Sequence, residues 1–75
     1  MAFENVTFYD VDSSNISQIG FDENEMVLYI VFTNNTTYWY SNVDLGTWQG
    51  LLNAESVGKY FWGNIRNAGY EYGKM

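Results

Sequence analysis

Two of the three cations in this 75-residue chain lie close together, on a segment with the pattern of a helix. Lys59 and Arg66 are seven residues apart, about two helical turns on one face, and Trp62 and Gly63 lie between them. Ser56 stands where this helix would begin, and the N–H groups of a helix start attract anions. This pattern favours a small site for an anion joined to a planar ring. The alternative is that both cations only neutralise nearby acids.

Enzymatic chemistry finds little support in the residue types. The sequence has no His and no Cys, which excludes the Ser-His-Asp triad, the Cys-His pair and the ordinary zinc site. "SVGK" (56–59) matches the Ser-x-x-Lys pattern of acylating serine enzymes, but a helix cap followed by a surface lysine explains it more simply. We therefore predict that the protein is not an enzyme and has no catalytic residues, no metal and no cofactor.

The charge balance limits the class of partner. Three Lys and Arg face nine Asp and Glu, for a net charge of −6. Long nucleic acid is held by roughly 6 to 10 contacts between cations and phosphates, so we expect none as a partner. A ligand with one or two phosphates needs only one or two cations. No apolar run reaches the roughly 20 residues of a membrane span and no signal-peptide pattern is present, so we expect a cytoplasmic protein without membrane contact.

The hydrophobic periodicity predicts one α+β domain over residues 1–75. It consists of a small antiparallel three-stranded sheet followed by two short helices. The first ten residues are predicted to be a partly ordered lead-in, and the last six a tail with room for a short strand. The predicted elements are a weak strand from Ser14, a β-hairpin over 26–41, and helices at about 44–54 and 57–68, capped by Asp44 and Ser56.

The length of the hairpin loop decides which rings share a face of the sheet. A two-residue loop at 34–35 would pair Val31 with Tyr38, whereas a three-residue loop over 33–35 would pair Ile30 with Tyr38. We favour the longer loop because its last residue is Asn, which tolerates the left-handed conformation that such a loop requires.

In that register Tyr38 and Tyr40 lie on the core face, and Trp39 lies on the opposite face with Tyr29 and Val31. The two tyrosines are then either rings of the core rim or platforms for stacking a base. The opposite face would expose an apolar patch unless something covers it. Because a domain of this size buries only about 60% of its unfolded surface, we predict a homo-oligomer with Tyr29, Val31 and Trp39 at its interface.

Four stretches in this order resemble the KTSC domain family, a small domain found at the C-terminus of some lysyl-tRNA synthetases and as free-standing bacterial and phage proteins. They are "SSNISQIGFD" (13–22), "LYIVF" (28–32), the Tyr-x-Tyr of "YWY" (38–40) and "LLNAESVGKYFWGNIR" (51–66). The resemblance covers about residues 11–72 and implies an antiparallel sheet followed by helices. For the family, RNA binding is suggested by the attachment to a synthetase.

The polar pattern of the family falls on Ser13, Ser14, Asn15, Tyr38, Tyr40, Ser56, Gly58 and Arg66. The chain departs from the pattern at three positions. Trp39 and Tyr29 stand where polar residues are common, and Asn35 stands in place of the usual hairpin Gly. These departures favour a second sheet face that contacts another molecule.

We predict a non-enzymatic protein, an oligomer that binds or sequesters a small nucleotide such as a cyclic dinucleotide, on the scale of phage sponge proteins. Stacking on rings contributes about 1 to 3 kcal/mol per base and would compensate for the scarcity of cations. The alternatives are a protein-interaction domain and an RNA- or tRNA-binding accessory domain. The predicted ligand-binding residues are Ser13, Ser14, Asn15, Tyr38, Tyr40, Ser56, Gly58, Lys59 and Arg66.

Overall fold

The computed structural model describes residues 6–75, which form one antiparallel sheet with helices on one of its faces. Each of the five strands pairs with its neighbour in sequence, in the order β1-β2-β3-β4-β5. The elements are β1 Thr7–Asp10, β2 Ile16–Asp22, β3 Val27–Phe32, β4 Thr37–Tyr40, α1 Leu45–Leu52, α2 Val57–Phe61, a π-helical segment Trp62–Arg66, and β5 Tyr72–Lys74. The predicted α+β class is confirmed.

The predicted number of three strands is wrong, because a strand flanks the expected sheet on each side. Much of the predicted lead-in is β1, which pairs with β2 from Thr7↔Phe21 to Asp10↔Gln18; residues 1–5 lie outside the described part of the chain. The last strand, β5, lies in the predicted tail and pairs with β4. Both are short edge strands, held by ladder hydrogen bonds more than by a buried face of their own, so their periodicity is weak.

The hairpin has the predicted three-residue loop over 33–35. Phe32 N donates to Thr36 O at 2.8 Å to close it, and Asn35 takes the left-handed conformation with φ 67°. The resulting register pairs Ile30 with Tyr38. The assignment of Tyr38 and Tyr40 to the helix-facing side of the sheet is therefore confirmed.

The face of the sheet opposite the helices carries one row of rings and glycines that crosses all five strands: Phe8, Gly20, Tyr29, Trp39 and Gly73. The rings fold over the glycines, since a Cβ on Gly20 would lie 2.9 Å from Phe8 Cδ2 and one on Gly73 would lie 2.7 Å from the Trp39 indole. Phe8 also lies 6.2 Å from Tyr29 between ring centroids, and Tyr29 is only 3% exposed. This member of the predicted interface is thus covered within one chain.

The core lies between the other face of the sheet and the helices. Trp48 of α1 stacks on Phe21 at 5.5 Å, and Phe61 of α2 meets Phe32 and Tyr40 edge-on at 5.8 and 5.6 Å. Fully buried aliphatic side chains fill the space between these rings: Ile16, Ile19, Leu28, Ile30, Val43, Leu51 and Ile65. No helix in residues 6–75 is long and apolar enough to cross a membrane.

Both helices begin at the predicted caps but end differently. Asp44 Oδ1 accepts from Thr47 N at 2.7 Å and Ser56 Oγ accepts from Lys59 N at 3.3 Å. The second helix is α-helical only to Phe61 and continues as the π-helical segment, whose carbonyl at Trp62 accepts from Asn67 Nδ2 at 2.9 Å. The wider π turns change which side chains share a face, and this affects the site.

Candidate ligand-binding groove

A groove of about 500 Å³ lies where β4 and β5 meet the end of the second helix. Aromatic rings from both layers make up half of its lining residues: Phe32, Tyr38, Tyr40, Phe61, Trp62 and Tyr72. Polar groups from the hairpin tip and two cations complete it: Asn15, Thr33, Asn34, Thr36, Arg66 and Lys74. Rings and positive charge therefore converge on one depression of an otherwise acidic protein.

The rings of the groove are ordered against one another. Tyr72 stacks on Tyr40 with centroids 5.5 Å apart and lies 6.3 Å from Tyr38, while Phe32 meets Tyr38 edge-on at 5.7 Å. Tyr40 is buried, but Tyr72 is 55% exposed and Trp62 is 47% exposed. The outer two rings thus offer surface to a planar ligand, and the inner tyrosines hold Tyr72 in place.

The two cations of the groove stand on different elements. Arg66 lies over the Trp62 ring, with Cζ 4.7 Å from the centroid, which is a cation–π contact. Lys74 lies opposite Tyr38 on the edge strand. Within residues 6–75 neither cation forms an ion pair, so the alternative that Arg66 neutralises a nearby acid has no support in the structure.

The Tyr40 hydroxyl stays neutral over the physiological range. Burial raises the pKa of Tyr40 above its usual value, and the positive charge of Arg66 only partly opposes this effect. A neutral phenol both donates and accepts a hydrogen bond, so Tyr40 brings no negative charge against an anionic ligand.

The structure separates the predicted site residues into two places. Tyr38, Tyr40 and Arg66 line the groove, but Lys59 lines a second hollow of about 740 Å³ on the other side of Trp62. The other predicted residues also line this hollow: Ser13, Ser14, Asn15, Ser56 and Gly58. Of the predicted set only Asn15 borders both.

The second hollow is less suited to an anion. Asp12 and Glu55 line it together with Lys59, so its single cation is offset by two acids. Three residues of the family's polar pattern also pack together here, since a Cβ on Gly58 would lie 3.3 Å from Ser13 Oγ and 3.5 Å from Asn15 Oδ1. Gly58 thus lets the helix approach the loop before β2 closely.

Several groove residues were missed by the sequence analysis. Tyr72 and Lys74 belong to β5, and the alternation of "YEYGKM" (70–75) was their only signal. Phe32 and Phe61 gave no functional signal, because apolar rings in these elements are typical of a core, which is where most of their surface lies. Residues 6–75 contain no group of three or more acidic, His or Cys side chains arranged to hold a metal ion.

Comparisons with known proteins agree with the fold. A family model described as the KTSC domain matches residues 12–71. The fold is similar to the crystal structure of a KTSC domain protein from Yersinia pestis, with a TM-score of 0.87 and 31% identity over 93% of this chain and 97% of that one. In sequence, the chain is 38% identical to a protein of Tsukamurella paurometabola over 75% of this chain and 84% of the other. It is 28% identical to a protein of Stutzerimonas stutzeri over 87% of this chain and 92% of the other.

Proposed function

This chain belongs to the KTSC domain family, and we propose that it binds a small nucleotide in the aromatic groove without acting on it chemically. The observation that carries the proposal is the pair of unpaired cations set among exposed rings. Arg66 stacks on Trp62 at one side, and Lys74 extends from the same edge strand as Tyr72 at the other. Neither the second hollow nor the hollow beside Trp48 combines rings with two cations.

A nucleotide matches these groups in kind and in number. A base stacked on an aromatic side chain gains about 1 to 3 kcal/mol. A phosphate gains charge-assisted hydrogen bonds from an Arg guanidinium, which presents a fork of donors to its oxygens. Two cations suit one or two phosphates, whereas a net charge of −6 repels a long polyanion. The groove therefore favours a mononucleotide or cyclic dinucleotide over RNA.

The biological role that follows is sequestration of a free nucleotide in the cytoplasm. A homo-oligomer remains part of this proposal. Because Phe8 already covers Tyr29, a contact between copies would rely on Val31 and Trp39, both half-buried in a single chain.

The test is isothermal titration calorimetry of the purified protein with mononucleotides, cyclic dinucleotides and a short oligoribonucleotide. We expect mononucleotides or cyclic dinucleotides to bind, and Arg66→Gln to weaken that binding at least tenfold, because a charge-assisted contact is worth about 1.5 to 3 kcal/mol. Lys59→Gln is the matched control, since it removes the same charge from the second hollow. Absence of heat with every small nucleotide, or an equal loss in the two variants, would refute the proposed site.

A further inference from the structure

Building on the proposed function, we infer that the groove selects guanine nucleotides, with the base at the hairpin tip and the phosphate at Arg66. The inference rests on two amide groups at the tip, Asn15 and Asn34, which line the groove together. They are held as neighbours by a backbone hydrogen bond in which Thr33 N donates to Asn15 O at 3.0 Å.

The local turns use the oxygen of each amide. Asn34 Oδ1 accepts from Thr36 N at 3.1 Å, and Asn15 Oδ1 accepts from Ser13 Oγ at 3.1 Å. The Nδ2 group of neither side chain donates to any residue of the described chain. One bond thus engages each amide oxygen and orients the amide, while the NH₂ groups at the tip remain as N–H donors without a partner in the described chain.

The length of the groove also suits a nucleotide. The five residues from Thr36 at the tip to Tyr40 are separated by four steps, about 13 Å at the usual rise per residue. This is similar to the length of a nucleoside monophosphate. Lys74 lies midway along this strand, opposite Tyr38, and Arg66 is near enough to Tyr40 for its charge to act on the pKa of that phenol. Donors for the base and cations for the phosphate therefore line one groove that is long enough for a nucleotide.

Among the bases, guanine offers the best match to two donors. Its O6 and N7 atoms are adjacent acceptors on one edge, whereas adenine sets an N6 amino donor beside N7, and cytosine presents an N4 amino donor. With adenine, one amide N–H of the tip would face another donor and lose its partner. The expected penalty is a loss of about tenfold or more in affinity.

The experiment compares GMP, AMP and CMP by calorimetry against the wild-type protein and three isosteric variants. Asn34→Asp and Asn15→Asp keep the oxygen that holds each turn but replace the donor NH₂ with an acceptor. The control is Asn24→Asp, which adds the same charge in the β2–β3 turn, where Asn24 lines a different hollow. The readout is the ratio of the GMP and AMP affinities, because added charge weakens both ligands alike.

We expect the wild type and Asn24→Asp to bind GMP at least tenfold more tightly than AMP, and the two groove variants to lose most of this ratio. Equal affinities for GMP and AMP in the wild type would overturn the selection of guanine while leaving nucleotide binding intact. A ratio that both groove variants retain would overturn the role of the amides. If no mononucleotide or cyclic dinucleotide binds at all, the proposed function fails, and the selection of guanine fails with it.

Discussion

Gly73→Ala should detach or strain the edge strand that completes the groove. A Cβ at this position would lie 2.7 Å from Cε2 and Cζ2 of Trp39 and 2.8 Å from its Nε1, closer than side-chain carbons approach one another in folded proteins. The obstacle is the body of a rigid indole rather than the end of a flexible chain. Overpacking of this kind costs about 1 to 3 kcal/mol. Because β5 has only three residues, such a cost is large compared with what holds it in the sheet.

The measurement is urea unfolding of the variant, followed by tryptophan fluorescence, with nucleotide binding as a second readout. Gly63→Ala is the control, because its added Cβ has no atom within 4 Å apart from its chain neighbours and the backbone of its own helix. In that helical position Ala should be neutral or stabilising by up to about 1 kcal/mol. Since β5 supplies Tyr72 and Lys74 to the groove, we also expect Gly73→Ala to lower the affinity for the nucleotide.

A double-mutant cycle separates the contact from other effects of the substitution. If the indole is the obstacle, Gly73→Ala should cost less than about 0.5 kcal/mol once Trp39 is replaced by Ala, giving a coupling energy of about 0.5 to 3 kcal/mol between the two sites. Equal unfolding free energies for Gly73→Ala and the wild type, or a cost that Trp39→Ala does not change, would refute the reasoning.

Three further predictions follow from the same packing. Burial raises the pKa of Tyr40, so above pH 10 the unfolded chain loses this proton before the folded chain does, and the free energy of unfolding should fall. Tyr40→Phe should reduce this fall, measured by urea unfolding between about pH 8 and 11.5. An unchanged slope would contradict this. Gly20→Ala places a Cβ 2.9 Å from Phe8 Cδ2 and should lower the free energy of unfolding by about 1 to 3 kcal/mol; a midpoint equal to the wild type would show that β1 does not pack as described. Trp39→Lys should lower the mass found by light scattering if the predicted oligomer uses this face, with circular dichroism to check folding, and an unchanged mass would exclude the interface.

The sequence predicted the centre of the sheet well because that centre is built from local rules. Alternating apolar residues mark β3, and the Asn at position 35 specifies a loop whose register follows from geometry alone. The caps at Asp44 and Ser56 were also predicted, since each side chain accepts a hydrogen bond from the backbone N–H three residues later. Where one residue and its neighbours determine the structure, the prediction was confirmed.

The parts that could not be predicted depend on contacts between distant segments. The position of β1 depends on Phe8 folding over Gly20, and that of β5 depends on Gly73 lying under Trp39. Neither relation leaves a periodic signal. The predicted site was divided for a related reason, since the π-helical segment and Trp62 place Lys59 and Arg66 on different sides of the ring.

The central claim is that a nucleotide occupies the aromatic groove and not the second hollow. It is tested most directly by titrating isotope-labelled protein with GMP and mapping the amide shifts in ¹H–¹⁵N NMR spectra. We expect the largest amide shifts at Asn34, Tyr38, Arg66 and Tyr72. Shifts centred on Ser56 and Lys59, or no shifts at millimolar nucleotide, would contradict it.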